Sequence, residues 1–102
     1  MIIVMGTAKF APGEIDRITL DVVAQLAATR AEDGCEAYNF ARDVLDPDML
    51  HIAEWWRDGD ALNAHSTAPH MATFGGVIAA AKLLSISVRS YDGDTVRTLI
   101  GE

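Results

Sequence analysis

The chain has 102 residues, half of them hydrophobic, and a formal net charge of −7. This length predicts one domain over residues 1–102, and no run of about 18 apolar residues is present that could form a transmembrane helix. Eight Lys and Arg are scattered among fifteen Asp and Glu, which argues against binding of nucleic acid or anionic membranes. The N-terminus lacks the features of a signal peptide, so a cytoplasmic location is expected.

The first third of the chain predicts a strand followed by an amphipathic helix. Residues 2–10 are mostly apolar and predict strand one. Pro12 suits the first turn of a helix, and Gly34 suits its C-cap. Between them, apolar residues recur at spacings of three and four, as on one face of a helix: Ile15, Ile18, Val22 and Leu26.

A β-hairpin is predicted next. Residues 35–45 alternate in part and contain aromatic residues, so they predict strand two. The sequence Asp-Pro-Asp at 46–48 is a turn signal, and residues 49–56 then predict strand three. Because side chains alternate along a strand, Glu54 and Trp56 should share one face, whereas Trp55 should lie on the other.

The remaining chain predicts two helical segments and a last strand. Residues 57–66 predict a short helix with Asp58 or Asp60 near its start. Pro69 can begin a second segment over residues 69–82, although the Gly75-Gly76 pair should bend or end it. Residues 83–91 predict strand four, and the tail beyond them could add a short strand or an arm that binds a partner chain.

The predicted order β-α-β-β-α-β is that of an α+β, ferredoxin-like domain with one antiparallel sheet. Helices would cover one face of this sheet. Strand three has apolar residues on both of its faces, including one Trp on each. A sheet that is apolar on both faces needs a second cover, and a second subunit is the simplest one. The sequence therefore predicts a homodimer joined through its sheets.

The segment 54–70 concentrates both tryptophans and two of the three histidines. His65 and His70 are five residues apart, with Pro69 between them, which is not the i, i+4 spacing that places two imidazoles on one helix face. The spacing thus gives no support for a metal site, and none is predicted. If Glu54 is buried it needs a partner, for which Arg57 and Arg42 are the candidates.

Taken singly, these side chains have ordinary structural interpretations. A Trp on a strand usually packs in a core or an interface, and a His on a short helix usually forms a surface hydrogen bond. Together, Trp56 at the end of a strand and His65 on the next helix could converge across the cleft between sheet and helix. An aromatic wall and a near-neutral proton acceptor would suit a flat phenolic or quinol substrate.

The chain resembles the antibiotic biosynthesis monooxygenase (ABM) family, including its quinol monooxygenase-like members. The family pattern combines Gly-Cys-x-x-Tyr, Arg-Asp, Glu-x-Trp, Ala-Leu-x-x-His and Pro-His, and the order of strands and helices agrees along essentially the whole chain. The matching residues are Gly34, Cys35, Tyr38, Arg42, Asp43, Glu54, Trp56, Ala61, Leu62, His65, Pro69 and His70.

The resemblance implies a dimeric α/β barrel with a pocket between each sheet and its helices. Some members oxidise quinols or oxygenate aromatic polyketides with O₂ and no metal, flavin or haem. On that basis His65 is the expected base and Trp56 the expected aromatic wall. The expected substrate-binding residues are Tyr38, Asn39, Glu54, His70 and Phe74.

The resemblance leaves the activity open. An oxidoreductase acting with O₂ on a small aromatic is expected first. A non-oxidative isomerase, decarboxylase or lyase, or a ligand-binding or stress-related module without chemistry, would use the same fold. Some relatives degrade haem with an Asn on strand one. Strand one has no Asn here, which counts against haem degradation.

Overall fold

The computed structural model describes residues 1–101 and has the ferredoxin-like α+β fold that the sequence predicts. One antiparallel sheet has the strand order β2-β3-β1-β4. None of the helices within residues 1–101 has the length and hydropathy of a transmembrane span. The elements are, in chain order, β1 (Ile2–Phe10), α1 (Glu14–Arg17), α2 (Thr19–Arg30), β2 (Cys35–Arg42), β3 (Met49–Trp56), α3 (Gly59–Ser66), α4 (Pro69–Ala80) and β4 (Leu83–Asp92).

The first predicted helix is two helices, α1 and α2, that meet at Ile18. The apolar stripe is confirmed, because Ile15 and Ile18 are buried and Val22 and Leu26 pack against the core. The predicted ends were wrong. Pro12 precedes α1, and α2 ends at Arg30 with Ala31 as its C-cap.

Gly34 is not the C-cap that the sequence predicts, and it lies directly before β2. Its φ of 82° lies in the left-handed region, where glycine is favoured. A Cβ added to Gly34 would lie 2.5 Å from the Cβ of Ala61 on α3. Glycine at this position therefore allows α3 to approach the start of β2.

The hairpin is confirmed, but β2 ends at Arg42 and not at residue 45. The Oδ2 atom of Asp43 accepts hydrogen bonds from the backbone N–H groups of Leu45 and Asp46, both at 2.9 Å. This Asp-based turn takes the chain out of the sheet. Val44 is consequently 98 % exposed, although its residue type favours strands.

Both C-terminal helices begin where the sequence predicts. The Asp58 side chain caps α3 by accepting a hydrogen bond from the N–H of Ala61 at 2.8 Å, and Pro69 opens α4. Gly75 and Gly76 do not end α4, which continues to Ala80. Residues 93–101 form no strand, so that part of the tail prediction was wrong.

The alternation in β3 places Glu54 and Trp56 on the face that the helices cover. Strand pairing aligns Val4 of β1 and Tyr38 of β2 with Glu54. The core on this side of the sheet contains Val4, Tyr38, Trp56 and Ala61. This packing determines where the candidate site lies, at the Trp56 end of β3 beneath α3.

Candidate functional site

Trp56 and His65 meet between the sheet and α3. Trp56 is fully buried, and His65 is 3 % exposed. Their ring centroids are 4.6 Å apart with an interplanar angle of 35°. The ring of Tyr38 meets His65 edge-on, with centroids 5.4 Å apart. His65 is therefore held between two aromatic rings.

Glu32, in the turn between α2 and β2, joins the two histidines. Its Oε2 atom lies 2.6 Å from Nδ1 of His65 and 3.1 Å from Nε2 of His70. The pair with His65 is the more enclosed of the two, since a quarter of the His70 side chain is exposed. A carboxylate accepting a hydrogen bond from Nδ1 fixes the tautomer and orientation of an imidazole ring.

Gln25 extends this network to Tyr38. Its amide Nε2 donates to the hydroxyl of Tyr38 at 3.2 Å, and its Oε1 lies 2.9 Å from Nδ1 of His70. Burial raises the pKa of Tyr38 to about 12. The phenol thus remains protonated near neutral pH and acts as a hydrogen-bonding group and not as a base.

Glu54 is paired with Trp56, and not with either of the predicted arginines. The indole Nε1 donates to Oε1 of Glu54 at 2.9 Å. Arg57 forms ion pairs with Asp33 and Asp58, and Arg42 forms one with Asp16. Burial raises the pKa of Glu54 because desolvation disfavours the carboxylate.

A cavity of about 290 Å³ lies between the sheet and the helices, and His65 and Glu54 line it together with Val4 and Met71. Nδ1 of His65 contacts Glu32, whereas its Nε2 has no hydrogen-bond partner within residues 1–101. A base in this cavity would have a free nitrogen and an orienting carboxylate.

A second space, a groove of about 240 Å³ between α2 and α4, lies on the far side of the same network. Gln25, His70 and Phe74 are among its lining residues. The chain of polar contacts through Glu32 therefore connects the cavity under α3 with a groove that opens between two helices.

Five of the seven predicted site residues lie around this network: His65, Trp56, Tyr38, Glu54 and His70. Phe74 stacks on Phe40 and lines the groove and not the cavity. Asn39 is exposed, lies on the opposite sheet face from Tyr38, and accepts a hydrogen bond from Arg30. Period-two alternation is the reason why adjacent residues on β2 point apart.

The sequence analysis missed Glu32 and Gln25. Gln25 had a detectable signal, because it lies on the apolar face of α2, three residues after Val22, and is almost completely buried. A polar side chain on such a stripe needs a buried partner. Glu32 had no comparable signal, since acidic residues are common in surface turns.

Comparison with known proteins agrees with this architecture. The sequence profile described as "Antibiotic biosynthesis monooxygenase" matches residues 1–76. The chain belongs to the antibiotic biosynthesis monooxygenase family. The matched segment contains every residue of the network around Glu32 and ends within α4. None of the curated proteins matches the chain.

Solved structures share the ABM fold over nearly the full length. A crystal structure from Deinococcus radiodurans matches with a TM-score of 0.91 at 23% identity, covering 99% of this chain and 100% of the other. PA3566 from Pseudomonas aeruginosa matches with a TM-score of 0.80 at 26% identity, covering 92% and 94%. A structure named antibiotic biosynthesis monooxygenase matches with a TM-score of 0.84 at 26% identity, covering 93% and 100%.

Proposed function

We propose that this ABM-family protein oxidises a small phenol, quinol or anthrone with O₂, without a prosthetic group, in the cavity beneath α3. The observation that carries the proposal is the buried His65, oriented by Glu32 at 2.6 Å and lining a cavity of about 290 Å³. Membership of a monooxygenase family supports the reaction class. The cavity volume approaches the lower end of the range for small-molecule pockets.

The proposed first step is removal of the phenolic proton by His65. With Nδ1–H donating to the carboxylate of Glu32, the neutral ring has its lone pair on Nε2, the nitrogen without a protein partner. Proton transfer to Nε2 gives an imidazolium that Glu32 stabilises. The resulting substrate anion is electron-rich, and its electrons reduce O₂.

The substrate supplies all electrons for the reaction. A quinol loses two protons and two electrons and becomes a quinone, while O₂ becomes hydrogen peroxide. An anthrone exchanges the two hydrogens of its methylene carbon for one oxygen atom of O₂, and the second oxygen leaves as water. Both reactions balance without a metal or flavin.

Trp56 has a supporting function in this proposal. It is fully buried, and the cavity wall is formed by other residues. Its ring packs on His65 and its Nε1 donates to Glu54. Trp56 thus acts as a positioning residue for the base and for a cavity carboxyl group.

Oxygen consumption tests the proposal directly. Protein freed of metal by chelation is expected to consume O₂ when given a reduced naphthoquinol or anthrone. The rate should exceed that of a heat-denatured sample, increase in proportion to protein, and accompany a quinone or oxygenated product. Mass spectrometry of the product with ¹⁸O₂ distinguishes oxygenation from simple oxidation.

Two other results would contradict the proposal. Conversion of a substrate under strict anaerobiosis would favour an isomerase, decarboxylase or lyase on the same fold. Saturable quenching of tryptophan fluorescence by these compounds, without product or O₂ uptake across the panel, would favour a ligand-binding module.

We also propose that two chains associate through the sheet face opposite the helices. This face exposes Met5 and Tyr91, each 54 % exposed. It also contains Trp55, whose buried Nε1 lacks a hydrogen-bond partner within residues 1–101. Apolar exposure next to an unpaired indole N–H supports a second copy as the cover.

Ala53→Arg should prevent this association. Ala53 is exposed on β3 and aligned with Met5, so an arginine there would place a charge in the centre of the proposed interface. Light scattering should give about twice the chain mass of 11.0 kDa for the wild type and the single mass for the variant. Leu20→Arg, on the outer side of α2 at 84 % exposure, is the matched control and should remain dimeric. A wild-type protein that is monomeric at all concentrations would contradict the interface.

A further inference from the structure

We propose that Glu32, His65 and His70 form a binding site for a divalent transition metal ion, with Zn²⁺ as the probe. One possible ligand atom from each side chain lies within 4.8 Å of the other two. The three residues come from three places in the fold: the turn after α2, the last turn of α3 and the first turn of α4. Two imidazoles and one carboxylate are a donor set typical of Zn²⁺ and Fe²⁺ sites.

The orientation of Gln25 determines which nitrogen of His70 has its lone pair towards Glu32. Gln25 Nε2 lies 3.2 Å from the Tyr38 hydroxyl and 3.0 Å from Sδ of Met71. A thioether sulfur can only accept, so the NH₂ end of the amide must face it. The carbonyl end, Oε1, then faces Nδ1 of His70 at 2.9 Å, and Nδ1 must donate to it.

This arrangement leaves the contact between His70 and Glu32 without a hydrogen. In neutral His70 with Nδ1 protonated, Nε2 has a lone pair, and it lies 3.1 Å from Oε2 of Glu32, which also has only lone pairs. The lone pairs of these two atoms therefore converge on one position. A metal ion shared with His65 would satisfy both of them there.

The spacing of the donors suits a metal ion after a small adjustment. Donors bound to Zn²⁺ at ordinary bond lengths lie about 3.3 Å apart in a tetrahedral site. The Glu32 oxygen is 2.6 Å from His65 Nδ1 and 3.1 Å from His70 Nε2. The two contacts to Glu32 therefore need to lengthen by less than an ångström, the donors of His65 and His70 lie within 4.8 Å of each other, and a water molecule would supply the fourth ligand.

The surroundings supply the other features of a metal site. The bond from His70 Nδ1 to Gln25 is the outer-shell contact that metal-ligating histidines usually make. His70 lines the groove between α2 and α4, which provides a path from solvent. The chain charge of −7 also favours accumulation of cations around the protein.

Metal binding and the proposed oxidation would require the hydrogen of neutral His65 on different ring nitrogens. A metal on Nδ1 displaces its hydrogen, so that the neutral ring keeps its only N–H on Nε2, which can then no longer accept a proton. This consequence rests on the proposed function, and it makes the ion an inhibitor. The binding itself does not depend on that function and is measured without substrate.

Titration of the chelator-treated full chain with Zn²⁺ in a calorimeter tests the site. The wild type is expected to bind one Zn²⁺ per chain, and Co²⁺ in its place should give the visible absorption of a tetrahedral ion. His70→Ala, at a partly exposed position, should weaken binding by more than about 100-fold, and Gln25→Leu by about 10-fold. Circular dichroism verifies that both variants are folded.

His51→Ala is the matched control, because His51 also pairs with a carboxylate, Asp43, but on the sheet face opposite the helices and without a second histidine. It should bind Zn²⁺ as the wild type does. Equal binding by wild type and His70→Ala, or loss of binding in His51→Ala alone, would overturn the site. If Zn²⁺ binds but accelerates O₂ uptake, the metal site stands and the metal-free mechanism of His65 is wrong.

Discussion

Replacing His65 with glutamine should lower kcat for O₂ uptake by metal-free protein by about 10²- to 10⁴-fold, the usual contribution of a general base. Glutamine can still donate a hydrogen bond to Glu32, but it cannot accept the substrate proton. It also fills most of the space of the imidazole, which matters because His65 is 3 % exposed. The variant should therefore remain folded while losing turnover.

Two further variants make this test specific. Glu32→Gln keeps the size of the side chain but removes the charge that stabilises the imidazolium, so its kcat should fall less than that of His65→Gln. His51→Gln changes a histidine that pairs with Asp43 on the sheet face opposite the cavity, the face of the proposed dimer interface, and should leave kcat unchanged while light scattering verifies that the variant remains dimeric. Retention of full turnover by His65→Gln would remove His65 from the mechanism.

The fold was predictable because its signals are local and periodic. The stripe from Ile15 to Leu26 and the alternation through Trp56 each assign an element and its buried face. The errors are at the ends of elements. The Asp43 side chain ends β2 before the apolar residues Val44 and Leu45. Gly75-Gly76 is tolerated within α4 because that helix packs against the neighbouring α2.

The candidate site was only partly predictable for a different reason. The spacing of His65 and His70 argued against a shared site, because the i, i+4 rule applies to two residues on one helix. The two residues lie on separate helices, and Glu32 meets both of them from a turn more than 30 positions earlier in the chain. Such a contact depends on how α2, α3 and α4 pack, which no short sequence pattern specifies. The prediction for Asn39 failed in the opposite way. Asn39 is adjacent to Tyr38 in sequence, but alternation along β2 places its side chain on the other face of the sheet.

Trp56→Ala should have the largest effect on stability, lowering the free energy of unfolding by about 3–5 kcal/mol. Trp56 is among the largest fully buried side chains, and it contacts the rings of Tyr38 and His65. Its removal leaves a cavity in the core beneath α3. It also removes the indole N–H that donates a hydrogen bond to the partly buried Glu54.

Trp56→Phe separates these two causes, because it keeps an aromatic ring and removes only the N–H and part of the volume. Its free energy of unfolding should lie between those of the wild type and Trp56→Ala. Urea unfolding followed by circular dichroism, at one protein concentration, measures all three proteins without relying on the fluorescence that the variants alter. Since Trp56 packs on His65, turnover of the Phe variant at a temperature where it is fully folded should also decline. Equal stability of all three proteins would mean that Trp56 is not the core residue that its burial indicates, and that His65 is held by Glu32 and Tyr38 alone.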